Sequence, residues 1–84
     1  MSQEKQILLH LLEGNSITPI DALQRFGCFR LGARIYDIGN KYPDLKIRSD
    51  LKEVGAGKRV AVYRITEFDL FTDGLRRKLA EAGG

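Results

Sequence analysis

Apolar residues recur along this chain at two periods, about 3.6 in several segments and 2 in a pair of segments between them. In residues 2–13, Ile7, Leu8, Leu11 and Leu12 stand at i, i+1, i+4 and i+5 and draw one face on an α-helix, with Ser2 placed to cap it and Gly14 to stop it. His10 lies off that face and reads as a rim residue. Asn15-Ser16-Ile17 is too short for a free strand and fits the third edge of a small sheet, anchored by Ile17. Thr18 then starts a second helix: Pro19 takes the first helical position, where its missing N–H costs nothing, and Asp21 is spaced as a capping-box partner. Ile20, Leu23 and Phe26 supply the apolar edge, and Gly27 ends the helix with a residue able to take positive φ.

The stretch TPIDALQRFGCFRLGARIYDIGNKY, residues 18–42, is the centre of the design: two short helices joined by a tight turn at Phe26-Gly27-Cys28, the pattern of a helix-turn-helix. On a wheel of about 100° per residue, the third helix, from about Phe29 to Lys41, turns Leu31, Ile35, Ile38 and Tyr42 inward. Phe29, Ala33, Tyr36, Asp37 and Asn40 lie opposite, with Arg30 beside them and Arg34 and Lys41 on one flank. Such a face suits a helix laid in a major groove, with Arg30 reaching guanine edges and Arg34 and Lys41 meeting phosphates. Asp37 has two readings, an acceptor for a cytosine amino group or a partner for Arg34 or Lys41 within the helix. Gly32 and Gly39 each lower helix propensity by about 1 kcal/mol relative to Ala. Gly32 fits a close approach of another backbone, and Gly39 a loosened last turn.

Tyr42-Pro43-Asp44 signals a turn. From there Leu45, Ile47, Ser49 and Leu51 alternate with Lys46, Arg48 and Lys52, and Val60, Val62 and Ile65, with Ala61, Tyr63 and Arg64 interleaved, form the returning strand. Between them Gly55-Ala56-Gly57 lacks the strand-to-helix context and the Lys-Ser/Thr of a nucleotide site. It reads as a hairpin tip whose Lys58 and Arg59 touch phosphates or enter a minor groove. Past Ile65, Thr66 can cap a last helix, with Asp69 three residues on, along which Phe68, Phe71, Leu75, Leu79 and Ala82 recur at helical spacing. This divides the chain into a domain at 1–65 and a helical extension at 66–84. The extension has two uses, a homodimer seam through Phe71, Leu75 and Leu79 or a cover for the chain's own core. Arg76-Arg77-Lys78 suits the negative end of that helix's dipole.

Composition narrows the function. At 84 residues, 43% hydrophobic and 30% charged, the chain has the makeup of one ordinary globular domain with one small core. One Cys and one His exclude an internal disulfide and a Cys/His zinc site, and no cofactor motif is present. A lone thiol suits a reducing compartment, and the short apolar run in MSQEKQILLHLLEG is neither a signal peptide nor a membrane span, so a cytoplasmic protein with no membrane partner is expected. No Ser/His/Asp or Cys/His constellation is spaced for catalysis, and Cys28 reads as a small buried hydrophobe rather than a nucleophile. The formal net charge is +3, but from Phe29 to Arg64 nine Lys/Arg face four acids. A positive middle between slightly acidic ends is the footprint of a polyanion-binding face, or else a lysine-rich solvated surface.

These elements make an α+β fold, a winged helix-turn-helix with a three-helix core, a two- or three-stranded β-wing and an extra C-terminal helix. The segment GNSITPIDALQRFGCFRLGARIYDI, followed by GKRVAVYRI, resembles the small helix-turn-helix proteins encoded in bacteriophages and prophages, whose pattern is close to S/T-I-T-P-x-x-A-L-x-x-F-G-x-x-R-L-x-A-R-I-x-D-L. The resemblance covers roughly residues 3–65. It implies a double-stranded DNA partner and a regulator or an accessory factor for replication or recombination, with Arg30 and Arg34 facing the duplex. Ile38-Gly39-Asn40 departs from the family's more usual Leu-Arg and a polar residue, which removes one positive charge from that helix. The same fold also serves as a protein-interaction module, which is the competing class.

Overall fold

One face of α1 (Gln3–Leu12) forms the middle of the core: Ile7, Leu8, Leu11 and Leu12 are all buried, each side chain contributing on the order of 1.5–3 kcal/mol of transfer free energy. The computed structural model describes residues 3–82; Ser2 and the side chain of Ala82 lie outside the described residues. Around α1 follow α2 (Pro19–Phe26), α3 (Leu31–Lys41), the antiparallel strands β1 (Ile47–Glu53) and β2 (Arg59–Ile65), and α4 (Leu70–Ala82). Gly14 stops α1 at φ 92°. His10 sits at the core's rim, donating from Nε2 to the Ser16 carbonyl at 3.1 Å, its ring edge-on to Phe26.

The capping box of α2 forms as its spacing requires, Asp21 N–H donating to Thr18 Oγ1 and Thr18 N–H to Asp21 Oδ2, both at 3.2 Å. Its inner face is not the expected one. Ala22 is buried and Phe26 half-buried, whereas Ile20 is 59% exposed and Leu23 is exposed as well. Ala22 and Phe26 are four residues apart and stack on one side of the helix, from which Ile20 and Leu23 are rotated by about 200° and 100°. The small side chain at position 22 is what meets the core.

The strands pair from Ile47↔Ile65 to Glu53↔Arg59. Alternation puts Ile47, Ser49 and Leu51 on one face with Ile65, Tyr63 and Ala61, and it is this face that packs at its base on the core through Ile47, Tyr63 and Ile65. Val60 and Val62, expected on the same side as Ile65, are on the other, because they are an odd number of residues from it. Leu45 is buried but precedes β1; its N–H bonds to the Tyr42 carbonyl and so belongs to the turn at Pro43. The third edge is a single bridge, Ile17 and Tyr63 exchanging two N–H to carbonyl bonds at 2.9 Å, with Ile17 fully buried.

Thr66 does not cap α4. Its N–H and hydroxyl both donate to the Lys46 carbonyl and close the base of the hairpin, while Asp69 caps instead, in reciprocal bonds with Thr72 (Thr72 N–H to Asp69 Oδ1, 3.1 Å; Asp69 N–H to Thr72 Oγ1, 2.8 Å). α4 then lies against α1. Of the residues offered for a dimer seam, Leu75 and Leu79 are 9% and 7% exposed within the chain's own core, and only Phe71 reaches the surface. Arg76-Arg77-Lys78 precedes the last turn, so it does not meet the helix's negative end; Arg76 pairs with Asp73 at 3.5 Å.

Candidate nucleic-acid interface

The turn into α3 is held from two sides. Gly27 takes the left-handed conformation at φ 66° and bonds back to the Leu23 carbonyl, and Gln3 Nε2 donates to the carbonyls of Phe26 and Gly27 at 3.3 and 3.0 Å. Gln3 is a positioning residue that sequence reasoning missed, since nothing local links it to a turn 23 residues away. The helix begins later than its pattern suggests: Phe29 lies in the turn, 84% exposed, and Arg30 is the N-cap residue. Arg30 makes no side-chain cap bond, so the first N–H groups of α3 have no such partner at the positive end of the helix dipole.

Along α3, Leu31 and Ile38 are buried, Ile35 half-buried, and Tyr42 packs against the core just past the end. Tyr36, 68% exposed, and Asn40 stand on the outer side with Ala33 and Asp37 half-buried beside them. Arg30 and Arg34 border one shallow depression of about 260 Å³ with Gln3, Gly27, Cys28 and Phe29. Arg34 Nη2 also meets Asp37 Oδ2 at 3.5 Å. Of Asp37's two readings, pairing within the helix is the one present, although a half-exposed i,i+3 pair contributes only about 0.2–0.5 kcal/mol and a stronger partner can break it. Gly32 faces no backbone: a methyl group there would meet the Tyr63 hydroxyl at 3.7 Å, an ordinary contact.

Lys41 differs most from its expected role. Its Nζ lies 2.6 Å from Glu4 Oε2 on α1, and this hydrogen bond, with the carboxylate charge, raises the Lys41 pKa above its ordinary value of 10.5. The cation ties α3 to α1 instead of standing free. Subtracting the Glu4 and Asp37 partners leaves α3 with little net charge beyond Arg30. The hairpin differs: from Lys46 to Arg64 six Lys/Arg face two acids, Asp50 and Glu53. At its tip Val54 N–H bonds to the Lys58 carbonyl and Lys58 N–H to the Gly55 carbonyl, over a turn with positive φ at Gly55, Ala56 and Gly57. Lys58 and Arg59 are exposed there and, among the described residues, form no ion pair.

A capped helix, a glycine turn, an exposed helix and a cationic hairpin, arranged in this order, define the winged helix class, a fold that suggests DNA binding. The chain belongs to the winged helix-turn-helix domain family, whose sequence pattern matches residues 2–67. No curated protein and no solved structure matches the chain. Among the described residues no helix is long and apolar enough to cross a membrane, and no group of His, Cys, Asp and Glu is placed to hold a metal ion.

Proposed function

We propose that this chain is a double-stranded DNA-binding protein of phage or prophage type, a transcription regulator or an accessory factor acting in the cytoplasm. In this reading α3 enters the major groove. Arg30 and Arg34 reach base edges or the nearest phosphates, Tyr36, Ala33 and Asn40 line the contact, and Asp37 holds Arg34 until a base or phosphate replaces it. Lys58 and Arg59 grip the backbone from the wing, and Lys41 acts indirectly, through Glu4, by fixing α3 on α1.

The observation that carries the reading is the distribution of unmatched cations. Arg30 stands at the uncapped start of α3, and Lys58 and Arg59 stand on a projecting hairpin, without acid partners among the described residues. A polyanion supplies what these groups lack. Binding of a labelled duplex measured from 50 to 300 mM salt tests it: about four to six phosphate contacts give a log–log slope near −4 to −5. Arg30→Ala with Arg34→Ala lowers affinity and flattens discrimination among duplexes. A double variant that binds every duplex as the wild type does would refute the assignment of α3.

A second reading, a module that binds protein, has its own observation. Leu70 is 91% exposed at the start of α4, beside the exposed Phe68 and Phe71. A homodimer would use this patch, since Leu75 and Leu79 are already buried. Sedimentation at micromolar concentration decides: a mass of one chain rules the homodimer out, and twice that mass, lost in Leu70→Asp, supports it.

A further inference from the structure

Strand alternation sorts the charges of the hairpin by face. With Ile47, Tyr63 and Ile65 turned to the core, Lys46, Arg48, Asp50 and Lys52 fall on the outward side of β1 and its lead-in, opposite Arg64, Val62 and Val60 of β2. Four cations and one acid therefore share a face that lies away from the core, at the flank of the ribbon rather than its tip. Arg48 and Arg64 are directly opposite in register. Like charges so placed repel, which costs a sheet stability unless something lies between them. Asp50 is that group: its Oδ1 meets Arg48 Nε at 3.2 Å and its Oδ2 lies 4.0 Å from Arg64 Nη2. One carboxylate thus serves two guanidiniums, both more than half exposed, and leaves most of their donors free.

We propose that this outward face is a second binding site for a nucleic-acid phosphate backbone, separate from α3 and from the hairpin tip, in which a phosphate takes the place of Asp50 between Arg48 and Arg64. The inference rests on the DNA-binding reading above and names a further part of its surface. The chemistry favours duplex phosphates over other occupants. Guanidiniums match phosphate oxygens in paired hydrogen bonds, and the spaces between the cations hold Val60 and Val62 rather than the aromatic rings on which single-stranded bases stack. Lys46 and Lys52 extend the same stripe along the ribbon, as a tracked backbone requires.

Asp50 makes the site testable with opposite signs. Binding of a non-specific duplex is measured against salt for the wild type, Arg48→Ala/Arg64→Ala, Asp50→Asn and, as a reference, Lys58→Ala/Arg59→Ala. The arginine double variant is expected to make the slope shallower by about 0.9, since the one phosphate held between the two guanidiniums is no longer neutralised, and to lower affinity about equally for all sequences. Asp50→Asn is expected to bind several-fold more tightly, because the phosphate no longer displaces a carboxylate. Thermal melting of each variant confirms that these exposed positions leave the fold intact. If the tip variant weakens binding while the arginine variant keeps the wild-type slope, the outward face is not a site and the DNA-binding reading stands. If Asp50→Asn binds more weakly while remaining folded, displacement by phosphate is wrong. If the wild type shows no salt-dependent duplex binding, or prefers a polyglutamate peptide to a duplex of equal charge, the proposal falls with the broader reading.

Discussion

At the scale of single residues, glycines and ion pairs hold the clearest expectations. Neither Gly32 nor Gly39 needs to be glycine for space or for φ: at Gly39 a methyl group would meet nothing within 4 Å, and at Gly32 only the Tyr63 hydroxyl. Gly32→Ala and Gly39→Ala should each raise stability by about 0.5–1 kcal/mol, read as a rise in the midpoint of thermal or urea unfolding. Gly27→Ala should lower it, because position 27 is held at positive φ. For Lys41 the sign follows from its raised pKa. A folded-state value above the unfolded one adds stability that is fully present below about pH 10.5 and is lost as pH rises through the folded value. Glu4→Gln should return the Lys41 titration, followed by NMR, toward its ordinary value and leave an unmatched cation on α3. Most of these single-residue roles were out of reach of the sequence for one reason: Glu4 with Lys41, and Gln3 with the α2–α3 turn, are pairs made by packing and not by spacing. Arg34 with Asp37 was within reach because helical geometry alone makes positions three apart neighbours.

Elements were more legible than their boundaries and faces. The capping box of α2, the glycine turn, the hairpin and the buried side of α1 all follow from local rules and appear as written in the sequence. Three expectations fail for separate reasons: a small residue meets the core on α2, strand parity decides the inner face of β2, and a nearer residue caps α4. On α2 Ala22 goes inward past Ile20 and Leu23; on β2 Tyr63 goes inward past Val62; and at the start of α4 Asp69, not Thr66, caps, which leaves Leu70 outside. The role of α4 is a quantity to measure. Because Leu75 and Leu79 are buried against the rest of the chain, Leu79→Ala should cost about 2–3 kcal/mol independently of protein concentration. A loss that shrinks on dilution would place these leucines in an oligomer interface instead.

For the whole molecule, the family pattern and the coordinates agree on a winged helix-turn-helix, and the positive middle of the chain resolves into an element-by-element distribution. Counting charges located a basic segment between residues 29 and 64. It did not show that α3 is close to balanced by Glu4 and Asp37 while the hairpin keeps most of the excess. Salt dependence should therefore follow the hairpin more closely than α3. Lys58→Ala/Arg59→Ala should flatten the slope by nearly 2 with sequence preference intact, whereas Arg30→Ala should change preference with at most about 0.9 in slope.

The molecule measures 42 × 25 × 20 Å, and among the described residues its ribbon is moored to the core at its base, through Ile47, Tyr63, Ile65 and a bridge to Ile17. Exchanging residues 54–58 for another glycine-bearing turn of the same length should therefore leave the melting temperature nearly unchanged, so grip on a ligand can be retuned apart from the fold.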